Sequence, residues 1–180
     1  MSNAQEKAHY LNHRNQAEDD GYRRFLARLF NPVNQQLKKR SAGLDFGCGP
    51  GPTLHLMFED AGHKMAIYDS FFFPDKAVLE AQYDFITASE VVEHLHHPRE
   101  VIEELWRCLR PGGMLAIMTQ FVPAGTPFEK WYYKNDETHV CFFSPETFMY
   151  LETQLQARLT LHRNVAIYTR IKASIPKESI

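Results

Sequence analysis

The chain has 180 residues, of which 44% are hydrophobic and 23% charged, and its formal net charge is −2. This length favours one domain, and the composition is typical of a globular protein rather than a disordered one. The near-neutral charge argues against a dedicated nucleic-acid-binding protein. No apolar run approaches the ~18 residues that cross a membrane, and the N-terminus lacks the apolar stretch of a signal peptide. Three widely spaced cysteines predict a reduced, cytoplasmic protein.

The first 40 residues are polar and predict a helical segment. Five apolar side chains recur there at helical spacing: Tyr22, Phe25, Leu26, Leu29 and Phe30. The pair Asn31-Pro32 is predicted to end this helix, with Pro32 beginning a second, shorter helix that runs to Arg40. Residues 5–40 are therefore expected to form a helical cap.

Short apolar runs alternate with amphipathic helices from residue 41 onwards. The runs at 44–46, 65–68, 83–88 and 114–119 predict strands, and helices are predicted at 53–61 and 98–109. This alternation predicts an α/β protein with a Rossmann-like, mostly parallel sheet and helices on both faces.

The C-terminal part follows a different pattern. Ser144-Pro145 is predicted to cap a helix that ends near Gln156. The apolar runs at 159–161 and 165–171 then predict an antiparallel hairpin, and residues 172–180 are expected to form a frayed tail.

The most informative segment is a strand that runs into three glycines, Leu44-Asp45-Phe46-Gly47-Cys48-Gly49-Pro50-Gly51. Glycine permits a positive φ and lets a ligand approach the backbone closely. The spacing G-x-G-x-G differs from the G-x-G-x-x-G of dinucleotide sites, and Pro50 and Pro52 remove two amide donors. The loop therefore suits a ligand with its own carboxylate and ammonium better than it suits a pyrophosphate.

This loop resembles the first motif of class I S-adenosylmethionine-dependent methyltransferases. Three later segments resemble the same family in the expected order: Tyr68-Asp69, Asp84–Leu95 and Leu109–Gly113. The resemblance covers residues 43–119 well and 144–171 in outline. It implies that residues 41–171 bind S-adenosylmethionine and that the protein transfers its methyl group.

The resemblance also assigns cofactor-binding roles. Asp45 would reach the methionine ammonium, with a loop-capping interaction as its alternative, and Asp69 would bind the ribose hydroxyls. Phe71 or Phe72 would flank the adenine, unless these rings only plug the sheet edge. The complete cofactor set is Asp45, Gly47, Cys48, Gly49, Gly51, Asp69, Ser70, Phe71, Ser89 and Glu90.

One segment departs from the family pattern. Only residues 70–83 separate Asp69 from Asp84, which is too short for a helix, a strand and their loops. The sequence therefore predicts that the third strand of the family and its helix are reduced or absent.

The long link at 120–143 is rich in aromatic residues and predicts a wall or lid of the substrate pocket. The predicted pocket residues are Trp131, Tyr132, Tyr133 and Thr138, with Tyr10 and His13 from the N-terminal segment, because such segments cap the cleft in related enzymes. Histidine titrates near neutrality, so His139 suits a general base, although it could instead bond loop backbone. His94 is a second candidate base or substrate ligand. No metal site is predicted, because the spacing of His94, His96 and His97 matches no helical ligand pair.

The small cap and the near-neutral charge favour a small-molecule acceptor, while a protein or RNA acceptor stays open. Two other functions also stay open at this stage. One is a nicotinamide-dependent oxidoreductase on a similar sheet, and the other is a non-catalytic module that binds S-adenosylmethionine.

Overall fold

A computed structural model describes residues 3–11, 17–123, 125 and 127–171. Its helices are α1 (Asn3–Leu11), α2 (Asp20–Asn34), α3 (Leu54–Asp60), α4 (Pro98–Arg107) and α5 (Pro145–Leu155). Its strands are β1 (Ala42–Phe46), β2 (Lys64–Tyr68), β3 (Tyr83–Ser89), β4 (Leu109–Met118), β5 (Ala157–His162) and β6 (Val165–Arg170). Within the described ranges, no helix has both the length and the apolar character that a membrane crossing needs.

The strands form one sheet in the order β2-β1-β3-β4-β6-β5. Strands β2, β1, β3 and β4 run parallel, and β6 pairs antiparallel with both β4 and β5. The predicted mostly parallel sheet with a C-terminal antiparallel hairpin is confirmed. The switch between β1 and β3 places the carboxyl ends of three parallel strands around one crevice, which is where open α/β sheets bind ligands.

The predicted shortening after β2 is also confirmed. Asp69 and Phe73 exchange two backbone hydrogen bonds of 3.0 Å, so the chain reverses immediately after the strand. A single 3₁₀ turn, Lys76–Glu80, then leads to β3. Because β3 pairs with β1 on the side opposite β2, no strand stands between Asp69 and β3 in this described part of the chain.

The prediction that Pro32 separates two helices is wrong, because α2 runs through it to Asn34. Proline costs one hydrogen bond in a helix interior, but Pro32 lies in the last turn, where burial of Leu29 and Val33 holds the helix on the sheet. The start of α2 is fixed by Asp19, whose carboxylate accepts from the backbone N–H groups of two first-turn residues.

The start of β4 also differs from the prediction. The apolar run predicts a strand that begins at Met114, whereas β4 begins at Leu109. The register shifts between Tyr83 and Phe85 on the neighbouring strand. Tyr83 pairs with Leu109 and Phe85 pairs with Met114, so β4 has more residues than β3 over this interval. Gly112, with a φ of +82°, lies within the irregular part of β4.

Two hydrophobic cores lie on the two faces of the sheet. One packs α4 and α5 around Leu105, Phe148 and Tyr168. The other packs α2 and α3 around Leu29 and Phe58. Helix α2 is thus a core helix, although its Tyr22 and Phe25 also line the crevice together with residues of α1.

Helix α5 carries a test of local stability at its first turn. The Ser144 hydroxyl accepts from the Thr147 N–H and the Thr147 hydroxyl accepts from the Ser144 N–H, both at 3.3 Å. We expect Ser144→Ala to lower the free energy of unfolding by about 1 kcal/mol, because it leaves one of these N–H groups unpaired. Urea unfolding would measure the loss. Ser144→Asp keeps an acceptor and should stay near wild type; equal stability of the alanine variant and wild type would contradict the capping role.

Candidate functional site

A cavity of about 820 Å³ opens at the carboxyl ends of β1, β2 and β3. Small-molecule sites usually have volumes of about 300–1,000 Å³, so this one can hold a ligand of cofactor size with additional space. Its walls come from the glycine loop, the turn after β2, the segment after β3, the link at 131–139, and helices α1 and α2.

The floor of the cavity is the glycine loop. Gly47 and Gly49 have φ values of +71° and +68°, a conformation that side chains rarely adopt. The Gly47 N–H donates to the Tyr68 carbonyl at 2.7 Å, which ties the end of β1 to the end of β2. A Cβ on Gly47 would lie 2.4 Å from a methyl carbon of Val91, whereas a Cβ on Gly49 would meet no atom within 4 Å. The loop therefore needs glycine at 47 for two reasons and at 49 for one.

Asp69 joins the glycine loop to the turn that follows β2. Its Oδ2 accepts from the Gly49 N–H at 3.0 Å. Its Oδ1 accepts from the N–H groups of Phe71 and Phe72 at 2.8 and 3.1 Å. Asp69 and Phe71 line the cavity and Phe72 is not among the lining residues.

Asp45 lies beneath the loop, and its side chain is 3% exposed. The Thr87 hydroxyl donates to its Oδ1 at 2.8 Å. Burial raises the pKa of Asp45 to about 7, and the Thr87 bond lowers it only in part. Asp45 is not among the residues that line the cavity.

An acidic pair lies at the end of β3. The Tyr133 hydroxyl donates to Glu90 Oε2 at 2.8 Å, and it makes a short hydrogen bond with Glu93 Oε1. Glu93 is fully buried, and the second oxygens of both carboxylates, Glu90 Oε1 and Glu93 Oε2, are buried without a hydrogen-bond partner. Burial and the adjacent Glu93 carboxylate raise the pKa of Glu90 well above its usual value. Burial likewise raises the pKa of Tyr133.

Two histidines pack beside this acidic pair. His94 Nδ1 lies 3.1 Å from the Thr138 carbonyl, and His139 Nδ1 lies 2.7 Å from the Tyr133 carbonyl. A carbonyl only accepts, so each Nδ1 carries a proton and donates it to the carbonyl. The two ring centroids are 4.8 Å apart. Burial lowers the pKa of His94, which favours the neutral form of its ring.

Most of the predicted site residues meet in this one cavity. Those that line it are Tyr10, Gly47, Cys48, Gly49, Asp69, Ser70, Phe71, Ser89, Glu90, His94, Tyr132, Tyr133 and His139. Asp45, Gly51, Trp131 and Thr138 are not among the lining residues. His13 lies outside the described residues.

Trp131 and Thr138 make packing and turn contacts next to the cavity. The Trp131 ring packs on Tyr133 and Phe142 at centroid distances of 5.3 and 5.5 Å. Thr138 donates from its backbone N–H to Asp136 Oδ1 at 2.9 Å. Both contacts shape the segment that carries His139.

Sequence reasoning missed Glu93, which is the most deeply buried acidic residue of the site. The only signal for it in the sequence is its place between Glu90 and His94, two residues that were predicted for the site. It also missed Tyr22 and Tyr68 as lining residues. Both tyrosines stand at apolar positions of a predicted helix or strand, where a residue that lines a cavity cannot be told from a core residue by sequence.

The sequence matches the methyltransferase-domain family over residues 10–157. The chain belongs to this family. The resemblance to class I S-adenosylmethionine-dependent methyltransferases is thereby confirmed, and the methyltransferase interpretation prevails over the nicotinamide oxidoreductase one. No curated protein sequence matches this methyltransferase significantly.

Solved structures share the fold. The 1,6-didemethyltoxoflavin-N1-methyltransferase of Burkholderia thailandensis, crystallised with 1,6-didemethyltoxoflavin and S-adenosylhomocysteine, superposes with a TM-score of 0.63 at 15% identity, covering 96% of this chain and 92% of its own. The phosphoethanolamine N-methyltransferase 2 of Haemonchus contortus, in complex with S-adenosyl-L-methionine, superposes with a TM-score of 0.59 at 13% identity. The match covers 76% of this chain and 38% of that protein's chain. An O-methyltransferase family protein from Burkholderia thailandensis superposes with a TM-score of 0.57 at 14% identity, and the match covers 86% of this chain and 59% of that protein's chain. At these identities the likeness establishes the fold.

Proposed function

We propose that this methyltransferase transfers the methyl group of S-adenosylmethionine to a small molecule bound in the same cavity. The observation that carries the proposal is the continuity of that cavity. One wall is the glycine loop with Asp69, and another is formed by His94, Tyr133 and His139. Donor and acceptor can therefore lie side by side, which a methyl transfer requires.

The cofactor fits the half of the cavity formed by β1 and β2. The positive φ values of Gly47 and Gly49 leave the loop backbone open to the methionine part of the cofactor. Asp69 stands at the end of β2, and a carboxylate there can accept from a ribose diol. Phe71 lines the cavity next to Asp69 and offers a ring face to the adenine.

The acceptor fits the half that is covered by α1. The Tyr10 ring packs on Phe71 and His94 at centroid distances of 6.0 and 5.4 Å, and Lys7 Nζ donates to the Phe71 carbonyl at 3.1 Å. Tyr132 and Tyr133 also line the cavity. A cavity of about 820 Å³ favours a small molecule over a protein or RNA segment.

Catalysis in such a site is mainly alignment. The methyl group of a sulfonium ion is already activated, so the protein holds acceptor, methyl and sulfur in line. An acceptor that must lose a proton needs a group to activate it, and His94 and His139, which both line the cavity, are the candidates for this role. Burial lowers the pKa of His94, which favours its neutral, basic form.

The site of action that we propose is a reducing compartment such as the cytoplasm. Cys48, Cys108 and Cys141 are all free thiols. Secreted domains usually pair their cysteines, so three free ones support this location.

Calorimetry with S-adenosylhomocysteine tests the proposed cofactor position. We expect Asp69→Ala to weaken binding at least about tenfold, because hydrogen bonds to a charged group contribute about 1.5–3 kcal/mol each. Asp75→Ala is the matched control, since Asp75 caps a short helical turn without lining the cavity. NAD should not bind measurably.

The Asp69 variant also needs a stability measurement, because Asp69 holds the Gly49 N–H. Thermal unfolding without ligand separates a loosened loop from a lost ribose contact. Wild-type affinity of Asp69→Ala for S-adenosylhomocysteine would remove Asp69 from the cofactor site, and binding of NAD as tight as that of S-adenosylhomocysteine would overturn the proposal.

A further inference from the structure

Glu93, His94 and His139 bring three metal-binding groups to one point of the cavity wall. One ligand atom of each residue lies within 4.8 Å of the others. His94 and Glu93 are neighbours in the turn after β3, and His139 comes from the link 45 positions further along the chain. No pattern of spacing along the chain reveals such a set, because the fold alone assembles it.

We propose that Glu93, His94 and His139 bind a divalent transition-metal ion such as Zn²⁺ next to the acceptor position. Two imidazoles and one carboxylate form a ligand set that zinc uses in catalytic sites, where a fourth position stays open to water or substrate. His94 and His139 both line the cavity, so the open position would face it.

The backbone contacts of the two histidines resemble those of metal ligands. Each Nδ1 lies within hydrogen-bond distance of a backbone carbonyl, of Thr138 for His94 and of Tyr133 for His139. Ligating histidines characteristically donate their other ring N–H to a carbonyl or carboxylate, which fixes the orientation of the ring. Nε2 is therefore the nitrogen of each ring that would bind the ion, and in His139 it lies 3.9 Å from Asp136 Oδ2.

Glu93 supplies an independent indication. Its side chain is fully buried, and its Oε2 has no hydrogen-bond partner, while its Oε1 is held by the Tyr133 hydroxyl. An unpaired carboxylate oxygen in the protein interior is costly unless a cation or a donor meets it.

The ligand atoms stand further apart than in an occupied site. Bonds of about 2.0–2.1 Å in a tetrahedral site separate the ligand atoms by about 3.4 Å. Binding would therefore draw the three side chains together. His139 sits on a link segment rather than on the sheet, which allows this small adjustment.

The ion would act on the acceptor. A bound divalent ion polarises an oxygen atom and lowers the pKa of a coordinated hydroxyl. The acceptor class that suits this site is a small molecule with an oxygen donor at or next to the methylated position. This part of the inference rests on the proposed function, whereas metal binding itself does not.

Titration of metal-depleted protein with Zn²⁺, without any cofactor, tests the site. We expect one tightly bound ion per chain by calorimetry, and visible absorption bands of a four-coordinate ion when Co²⁺ replaces Zn²⁺. His94→Ala, His139→Ala and Glu93→Gln should each weaken Zn²⁺ binding at least about tenfold. His97→Ala is the control, because His97 lies in the same segment with a side chain that is 75% exposed.

Thermal unfolding provides a second readout. Zn²⁺ should raise the unfolding temperature of the wild type and of His97→Ala, and it should not do so for the three ligand variants, since an ion stabilises only the state that binds it. Glu93→Gln keeps the side-chain volume, so it still tests the loss of a metal ligand if an alanine variant fails to fold.

Two results would overturn the proposal. One is the absence of tight one-to-one binding by the wild type, which needs no variant to interpret. The other is undiminished binding in a His94→Ala/His139→Ala double variant, which would place the ion on surface histidines. A separate titration with S-adenosylhomocysteine distinguishes these failures from a failure of the proposed cofactor site.

Discussion

Gly47→Ala should destabilise the protein by about 3 kcal/mol and weaken S-adenosylhomocysteine binding at least about tenfold. Two costs add at this position. A side chain at a φ of +71° is strained, and the new Cβ would lie 2.4 and 2.7 Å from the two methyl carbons of Val91. Val91 is itself buried, so it cannot move aside freely. The strand end, the loop and the segment after β3 would all have to shift, and these carry the cofactor side of the cavity.

Gly49→Ala is the matched control for this experiment. Gly49 has nearly the same φ, +68°, but its Cβ would meet nothing within 4 Å. It should therefore show only the conformational cost, about 1–2 kcal/mol. Urea unfolding measures both variants, and calorimetry measures their ligand affinity.

A double variant assigns the difference between the two glycines to one contact. Val91→Ala removes both methyl carbons that Gly47→Ala would strike, so Gly47→Ala should cost less in that background than in the wild type. Equal destabilisation by Gly47→Ala and Gly49→Ala would show that the Val91 contact does not matter.

The sequence predicted the parts of this protein that local chemistry determines. Three glycines after an apolar strand predict a ligand loop, and Ser144-Pro145 predicts a helix start, because these residue types act over only a few positions. The short interval after Asp69, compared with the pattern of the resembling family, predicts that a strand is reduced or absent. These features needed no knowledge of which segments meet.

The parts that were missed depend on contacts between distant segments. His94, His96 and His97 are neighbours in the sequence, whereas in the structure the His94 ring packs against His139. Pro32 was predicted to end a helix, but packing of α2 on the core outweighs the lost hydrogen bond. Long-range packing decides both cases, and no local pattern records it.

At the centre of the strongest motif, the predicted contact between Asp45 and the cofactor stays a prediction. Its position at the end of β1 suggested a contact with the cofactor ammonium, and the structure places it underneath the loop, bonded to Thr87. The motif identifies the residue, but the direction of the side chain follows from the neighbouring strand. A buried carboxylate in this position has a consequence for stability.

The unfolding free energy of the ligand-free protein should fall by about 3 kcal/mol between pH 4 and pH 7 through Asp45 alone. Burial raises its pKa in the folded state from 3.8 to about 7. In this interval Asp45 is ionised in the unfolded chain and mostly protonated in the folded chain, so the stabilisation that is present at low pH is lost as the pH rises. The small remainder is lost by about pH 8, and above that pH the contribution of Asp45 is constant.

Asp45→Asn is expected to remove this fall. The amide is neutral at every pH and keeps an oxygen that accepts from the Thr87 hydroxyl. The variant should therefore be more stable than the wild type at pH 8 and similar to it at pH 4. Asp84→Asn is the control of opposite sign, since hydrogen bonds from Ala42 and Arg110 lower the pKa of Asp84. Urea unfolding of the three proteins at intervals from pH 4 to pH 8 measures these slopes.

The same series decides between the two roles of Asp45. If it only supports the loop, the stabilisation that S-adenosylhomocysteine gives should not depend on pH through this residue. If the ligand ammonium reaches the carboxylate, binding favours its charged form, so affinity should increase from pH 5 to pH 8 and binding should release a proton near pH 6. Asp45→Asn would abolish that proton release. A wild-type unfolding free energy that is flat from pH 4 to pH 7, and unchanged in slope by Asp45→Asn, would contradict the raised pKa itself.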